Sequence, residues 1–323
     1  MSDGVERGTS ERPSDQSGPV SDGRSFSFLI NPLSGGGAAP AAVVPVARIL
    51  RDAGAAVEVT YSPGPRATLG IVEGAVGRGD VVVSVGGDGM LSSIAGQVSS
   101  LGGTLGLVPA GRGNDFARML GLSAEPADVA RVLLSGTPTP TDLLSLRLGE
   151  AQPRIVAGSV YAGVDAVAGE VVDKVRWMPR RLQYPYAAVH SVATYKPISA
   201  RVVIDGTAHD FRAATVVVAN SGYYGSGMKI APSASVDDGL LDVVVIEAAS
   251  RRGLIRALPK VYDGTHVDLP EVHVLRGRSV ELSGTPGVPM GGDGEPLGHL
   301  PGDPASAAVV DLMPGALNLL LPA

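Results

Sequence analysis

The chain has 323 residues, room for about two domains at roughly 150 residues each. Its 44 glycines and 25 prolines, about a fifth of the residues, stay below the share that marks a low-complexity chain. The absence of cysteine excludes disulfides, thiolate metal sites and thiol nucleophiles, and a net charge of -6 speaks against a broad electrostatic grip on nucleic acid while leaving room for a local basic patch.

Residues 1–24 carry almost no large apolar side chain and are expected to form a disordered tail, because they cannot offset the entropy of ordering. From Ser25 the pattern alternates: a strand over Phe26 to Ile30, a helix near Ala41 to Ala53, a strand over Val57 to Thr60, a helix near Leu69 to Val76, and a strand over Val81 to Val85. A helix follows with Leu91, Ile94, Ala95 and Val98 on one face, then a strand over Leu105 to Val108 and a helix over Pro126 to Leu134. The run Asp80 to Val85 is nearly all β-branched, as a parallel strand covered on both faces requires. After about Thr141 short strands dominate, at Arg201 to Ile204, Thr215 to Ala219, Leu241 to Ile246, Glu271 to Leu275 and Ser279 to Leu282, with a helical excursion over Val171 to Tyr195. The expected architecture is an α/β nucleotide-binding domain at 25–142, a parallel sheet with helices on both faces, followed by a β-sandwich at 143–323 whose last residues pack back on the first domain. No apolar run reaches the roughly 18 residues of a membrane helix, and a charged start followed by an apolar core is missing, so a cytoplasmic chain, soluble or peripheral at the inner face of the membrane, is expected.

Three glycine-rich loops follow strands of the first half: Asn31 to Gly37, Gly86 to Gly89, and Pro109 to Asp115. Glycines at strand ends let backbone N–H groups approach a phosphate closely, and open α/β sheets collect ligands at the carboxyl ends of their strands. Neither the Gly-x-x-x-x-Gly-Lys-Ser/Thr loop nor Gly-x-Gly-x-x-Gly after the first strand is present in this half, so a Walker nucleotidase and a Rossmann dehydrogenase find no support. Asp88 lies inside the second loop, where its charge would repel phosphate unless a divalent cation bridged the two; this implies magnesium. His190, His209, His266, His273 and His299 show no ligand spacing and are read as structural.

Asn31 to Gly35, Gly86 to Gly89 and Gly111 to Arg118, followed by Gly225 to Pro232 with Val236 to Asp242 and then Gly292-Asp293-Gly294-Glu295, resemble the ordered motifs of the diacylglycerol kinase catalytic family, which also includes sphingosine and other lipid kinases. The resemblance covers Ser25 to the end. It implies an ATP- and magnesium-dependent kinase acting on a lipid hydroxyl, diacylglycerol by default. ATP would be bound by Asn31, Pro32, Leu33, Ser34, Gly35, Thr60, Gly86, Gly87, Asp88, Gly89, Met90, Leu91, Ser92, Arg112, Asn114 and Asp115. Catalysis would fall to Glu295, Asp293 and Asp88, with Glu295 preferred as base and Asp293 close behind, both facing the cleft. Metal would be held at Asp88 and, at a second site, by Asp238 with the carbonyls of Ser235 and Leu240. Met90 and Ser92 stand where Thr and Asn are common, and Arg112 where Thr is common. These departures keep a silent nucleotide or lipid binder in view, and the Gly86 to Gly89 loop alone also fits a soluble-metabolite kinase of the NAD kinase type. The expected partners are a lipid substrate at a membrane surface, gripped through Lys174, Arg176, Trp177, Arg180 and Arg181, and, as an open alternative, a second copy of the chain; nucleic acid is not expected.

Overall fold

The computed structural model describes residues 23–322 apart from Pro63, Arg176 and Pro179, so the expected tail lies outside the described residues except for Gly23 and Arg24. The first half runs β1 (Ser25–Ile30), α1 (Ala39–Asp52), β2 (Ala56–Tyr61), α2 (Pro65–Gly77), β3 (Val81–Gly86), α3 (Asp88–Ser100), β4 (Thr104–Pro109), α4 (Asp115–Met119) and α5 (Pro126–Ser135). The four strands pair in parallel in the order β2-β1-β3-β4. Alternation along β1 sets the layers. Phe26, Phe28 and Ile30 pack with Val43, Val46 and Leu50 of α1 and Leu133 of α5, whereas Leu29 packs on the other face with Val72 of α2 and Ile94 and Val98 of α3. β3 is buried at every position, as its β-branched run implies.

The second half contains β5 (Thr137–Arg147), β6 (Arg154–Val156), β7 (Ser159–Gly163), α6 (Val164–Lys174), α7 (Arg180–Thr194), β8 (Ile198–Ile204), β9 (Thr207–Ala219), β10 (Leu241–Glu247), α8 (Arg251–Asp263), β11 (Val272–Gly277), β12 (Ser279–Gly284), β13 (Pro289–Gly292), β14 (Glu295–His299) and β15 (Ala308–Leu321). Its strand pairs are antiparallel, and Val202, Val218, Val243, Val280 and Val310 form the centre of a β-sandwich-like core. The helical excursion begins at Val164, ahead of the expected Val171, because Gly163, at φ 133, turns β7 directly into α6. α8 is unexpected. Its internal Pro259 and its four basic residues hid the helical period from a reading of apolar spacing.

The two halves share strands. β15 pairs antiparallel with β5 along most of its length and with β12, then in parallel with β4 through Asn318↔Thr104 and Leu319↔Leu105, so one sheet runs through the whole molecule. Leu317 and Leu319 are fully buried against α3 and the β1–β3 core of the first half. Replacing Leu319 by Ala should cost about 2–5 kcal/mol. Because that side chain belongs to both halves, denaturant unfolding of the variant should remain a single transition at lower midpoint. Two separated transitions would contradict the shared sheet.

Candidate active site

The three glycine loops meet at the carboxyl ends of β1, β3 and β4. A Cβ on Gly111 would lie 2.3 Å from the Cα of Gly87, so the second and third loops touch backbone to backbone and only glycine fits. Ser34 of the first loop reaches Gly86, where a Cβ would come within 3.1 Å of its Oγ. Asn114, held at φ 52, closes the third loop by accepting from Gly111 N at 2.8 Å. Thr60 lies beside Leu29 near the end of β2, next to the Asn31 loop. Leu33 and Arg112 are exposed, while Met90 folds its sulfur over Gly86. The structure therefore brings most of the expected nucleotide residues to one sheet edge.

Asp88 opens α3 at this edge. Its Oδ2 accepts from Asp115 N and its Oδ1 from Phe116 N, both at 3.1 Å, so the carboxylate is fixed by α4 and keeps lone pairs toward the cleft. One such carboxylate, completed by phosphate oxygens and water, is a donor set that suits a magnesium ion. Asp115 itself is turned the other way. Its oxygens accept from Ser226 N and Gly227 N, each at 2.7 Å, and burial pushes its carboxyl above the usual range, with the Asp88 charge adding to the push. It is a tether to the Tyr224 to Ile230 hairpin rather than a phosphate ligand.

Gly292-Asp293-Gly294-Glu295 is the two-residue turn of the β13–β14 hairpin, with left-handed φ of 49 at Asp293 and 81 at Gly294, the geometry an Asp-Gly turn provides. The turn separates the two acids instead of aiming both at the cleft. Asp293 points inward: Oδ2 accepts from Ala157 N at 2.9 Å, Gly158 N at 3.0 Å and Ser92 Oγ, and Oδ1 accepts from Ser159 N at 3.0 Å. Burial pushes its carboxyl up to about 6, and the Asp88 charge acts in the same direction. Asp293 is thus a positioning residue. Glu295, at the start of β14, is exposed and lies against the first turn of α3: a Cβ on Gly89 would sit 2.8 Å from both its Cγ and Oε1. Its carboxylate is one residue from Asp88.

Two more groups of expected site residues have partners within the protein. Ser92 is buried, and its hydroxyl donates to Asp293 while accepting from Ala157 N at 2.9 Å, so it is engaged at the junction; Leu91 is buried between α3 and the sheet and also lines the small pocket beside Gly86, Gly87 and Asp88. At the second metal position the Asp238 carboxylate is paired with the Arg276 guanidinium and accepts from Leu240 N at 3.1 Å, and Arg276 Nε also reaches the buried Asp242 at 3.2 Å. The Arg276 guanidinium thus bridges these two acids, and the Ser235 hydroxyl goes to Asp237. No cluster of three or more His, Cys, Asp or Glu side chains suited to a metal occurs among the described residues, and His266 is buried with its Nε2 3.0 Å from Ile230 O.

The sequence reading missed Asp165. At the start of α6 it accepts from Thr215 Oγ1 at 2.6 Å and Tyr224 Oη at 3.1 Å, which anchors the hairpin that Asp115 holds from the other side. The signal was Gly163-Val164-Asp165 directly after a strand. Of the expected membrane grip, Lys174 pairs with Glu170 at 3.5 Å, Trp177 is 80% exposed, and Arg176 and the side chains of Arg180 and Arg181 lie outside the described residues.

Asp293→Ala should leave the Gly158 and Ser159 N–H groups and the Ser92 hydroxyl without their acceptor, Ala157 N keeping Ser92 Oγ, and cost about 2–4 kcal/mol in denaturant unfolding. Because folding raises this carboxyl, its share of stability is complete below its ordinary 3.8 and fades as pH rises through about 6, so Asp293→Asn should flatten the pH dependence of the unfolding midpoint over that window. Chelation of divalent cations should leave the wild-type midpoint unchanged, whereas Arg276→Gln should lower stability by about 1–3 kcal/mol by leaving buried Asp242 with Ser233 Oγ but no cation beside it. A wild-type midpoint that falls on chelation would restore a metal to the Asp238 turn.

Residues 25–146 match the diacylglycerol kinase catalytic domain and residues 158–321 the YegS C-terminal NAD kinase beta sandwich-like domain. A diacylglycerol kinase of Mycobacterium tuberculosis is 31% identical over 297 residues, 91% of this chain and 94% of that protein. One of Bacillus subtilis is 25% identical over 240 residues, 73% of this chain and 78% of its own. The crystal structure of a diacylglycerol kinase from Bacillus anthracis superimposes with a TM-score of 0.65 at 16% identity, covering 93% of this chain and 97% of that one, a likeness of fold. With both halves matched, and the motif residues gathered at one sheet edge, the chain belongs to the diacylglycerol kinase catalytic family of lipid kinases.

Proposed function

We propose that this protein transfers the γ-phosphoryl group of ATP to the hydroxyl of a membrane lipid, diacylglycerol before other hydroxyl lipids, giving phosphatidic acid and ADP. The observation that carries the reading is Glu295 seated on Gly89, one residue from Asp88, at the edge where three glycine loops converge. The loops supply backbone N–H groups and the amino end of α3 for the triphosphate. Asp88 would hold a magnesium ion, which when bound neutralises charge on the phosphate oxygens. Glu295 accepts the hydroxyl proton as the lipid oxygen bonds to the γ-phosphorus and the bond from that phosphorus to the bridging oxygen breaks. Such a base needs the hydroxyl within about 2.6–3.2 Å, and the Asp293 turn sets where its carboxylate stands. The names of the relatives support diacylglycerol as acceptor, and the absence of a Walker loop is no obstacle, since positioning and charge neutralisation do most of the work in phosphoryl transfer.

Glu295→Gln should lower turnover on diacylglycerol by about 10²–10⁴-fold with little change in ATP affinity, as loss of a general base predicts. Asp88→Ala should abolish magnesium-dependent turnover without lowering the unfolding midpoint by more than the two N–H bonds it accepts. Product analysis by mass across diacylglycerol, sphingosine and phosphatidylglycerol reads the acceptor. Wild-type turnover in Glu295→Gln would remove the proposed base.

A further inference from the structure

α8 is divided lengthwise into three strips. Leu254, Ala257 and Val261 face the sheet, yet only Val261 is buried, and a cavity of about 210 Å³ lies between this side of the helix and Ile246, Leu269 and Val272, with Arg256 and Lys260 also lining it beside Glu247 and Glu271. The next strip, at spacings of three and four, is Ile255, Leu258 and Tyr262, which are 59%, 39% and 53% exposed. The third, at spacings of four, is Arg252, Arg256 and Lys260, all exposed, and Arg251 heads the helix. None of Arg251, Arg252 and Arg256 forms an ion pair among the described residues. Core packing does not explain this helix: it shows large apolar side chains to solvent and concentrates positive charge in a chain of net charge -6. α7 packs beside it and adds exposed Leu182 and Tyr186.

We infer that α8 is an interfacial helix that docks the protein on an anionic lipid bilayer, its Ile255, Leu258 and Tyr262 strip entering the acyl boundary while Arg252, Arg256 and Lys260 lie among the headgroups. An apolar strip flanked by a basic one is what a helix lying in the headgroup plane needs, and the positive strip selects anionic lipid. A chain of hydrogen bonds links α8 to the site. Val261 O of α8 accepts from Lys229 N at 2.8 Å in the hairpin whose Ser226 and Gly227 N–H groups bind Asp115, and Asp115 N in turn binds Asp88. α8 is thereby tied to the cleft through the Tyr224 to Ile230 hairpin. The inference rests on the proposed lipid substrate for its purpose but not for its test.

The experiment is sedimentation of the full chain with vesicles of phosphatidylcholine and phosphatidylglycerol, compared with phosphatidylcholine alone, at low and high salt and without ATP. Wild type should sediment with the anionic vesicles only, and less as salt rises. Arg252→Gln with Arg256→Gln and Lys260→Gln, and separately Ile255→Ser with Leu258→Ser and Tyr262→Ser, should each weaken partition by about tenfold or more. Both should keep the wild-type unfolding midpoint and turnover on diacylglycerol dispersed in neutral detergent. Either triple variant partitioning like wild type overturns the inference. So does a wild type that stays in the supernatant with both vesicle types, which would assign the face to a protein partner. A wild type that binds vesicles but phosphorylates no lipid upholds the docking and sinks the kinase reading, and one that turns over dispersed lipid but ignores vesicles does the reverse.

Discussion

Three consecutive backbone N–H groups, those of Ala157, Gly158 and Ser159, end on one carboxylate, Asp293, which Ser92 joins from α3. That convergence ties the first-half helix carrying Asp88 to the second-half hairpin carrying Glu295. Without it the Gly158 and Ser159 N–H groups would sit unsatisfied at the junction, each at a cost of about 1–3 kcal/mol, so the hairpin has a strong preference for one seat. Everything about the cleft that involves both halves depends on it: the distance of Glu295 from the glycine loops follows from where residue 293 is held, two positions earlier in a tight turn.

The same logic recurs on the far side of the cleft. Asp115 and Asp165 grip the Tyr224 to Ile230 hairpin from opposite ends, and Asp142, buried, accepts from Gly239 N at 2.9 Å and Gly315 N at 2.7 Å. Carboxylates that accept backbone N–H groups are shape-setting devices. They fix loops whose own sequences, rich in glycine, have little preference for any conformation. In this molecule most buried acids do that work, and few remain for chemistry.

Much of this was legible in the chain. The β-branched run of β3 and the glycines after β1, β3 and β4 announce a covered parallel sheet with a ligand edge, because period and composition are local properties. The division of labour between Asp293 and Glu295 was not legible, since it depends on which side of an Asp-Gly turn faces α3. Ser92 could be read as a hydroxyl beside a phosphate loop until the fold placed Asp293 next to it. Arg276 lies 38 residues beyond Asp238 and reaches it only through pairing of β10 with β11. β5 and β15 hid behind prolines, Pro138 and Pro140 in one and Pro314 in the other, which a strand tolerates where ladder hydrogen bonds are not required of them.

The parallel pairing of β15 with β4 also governs how the molecule is made. During synthesis β4 leaves the ribosome about 200 residues before its neighbour, an interval of about 10–40 s at ordinary elongation rates. Throughout that time the first half has its helices and its glycine loops but an open sheet edge of unpaired N–H and C=O groups, the kind of edge that recruits other strands. A nascent chain of this protein therefore carries a long-lived aggregation hazard that the finished protein does not, and its yield in a cell should depend on chaperone supply more steeply than its final stability would suggest.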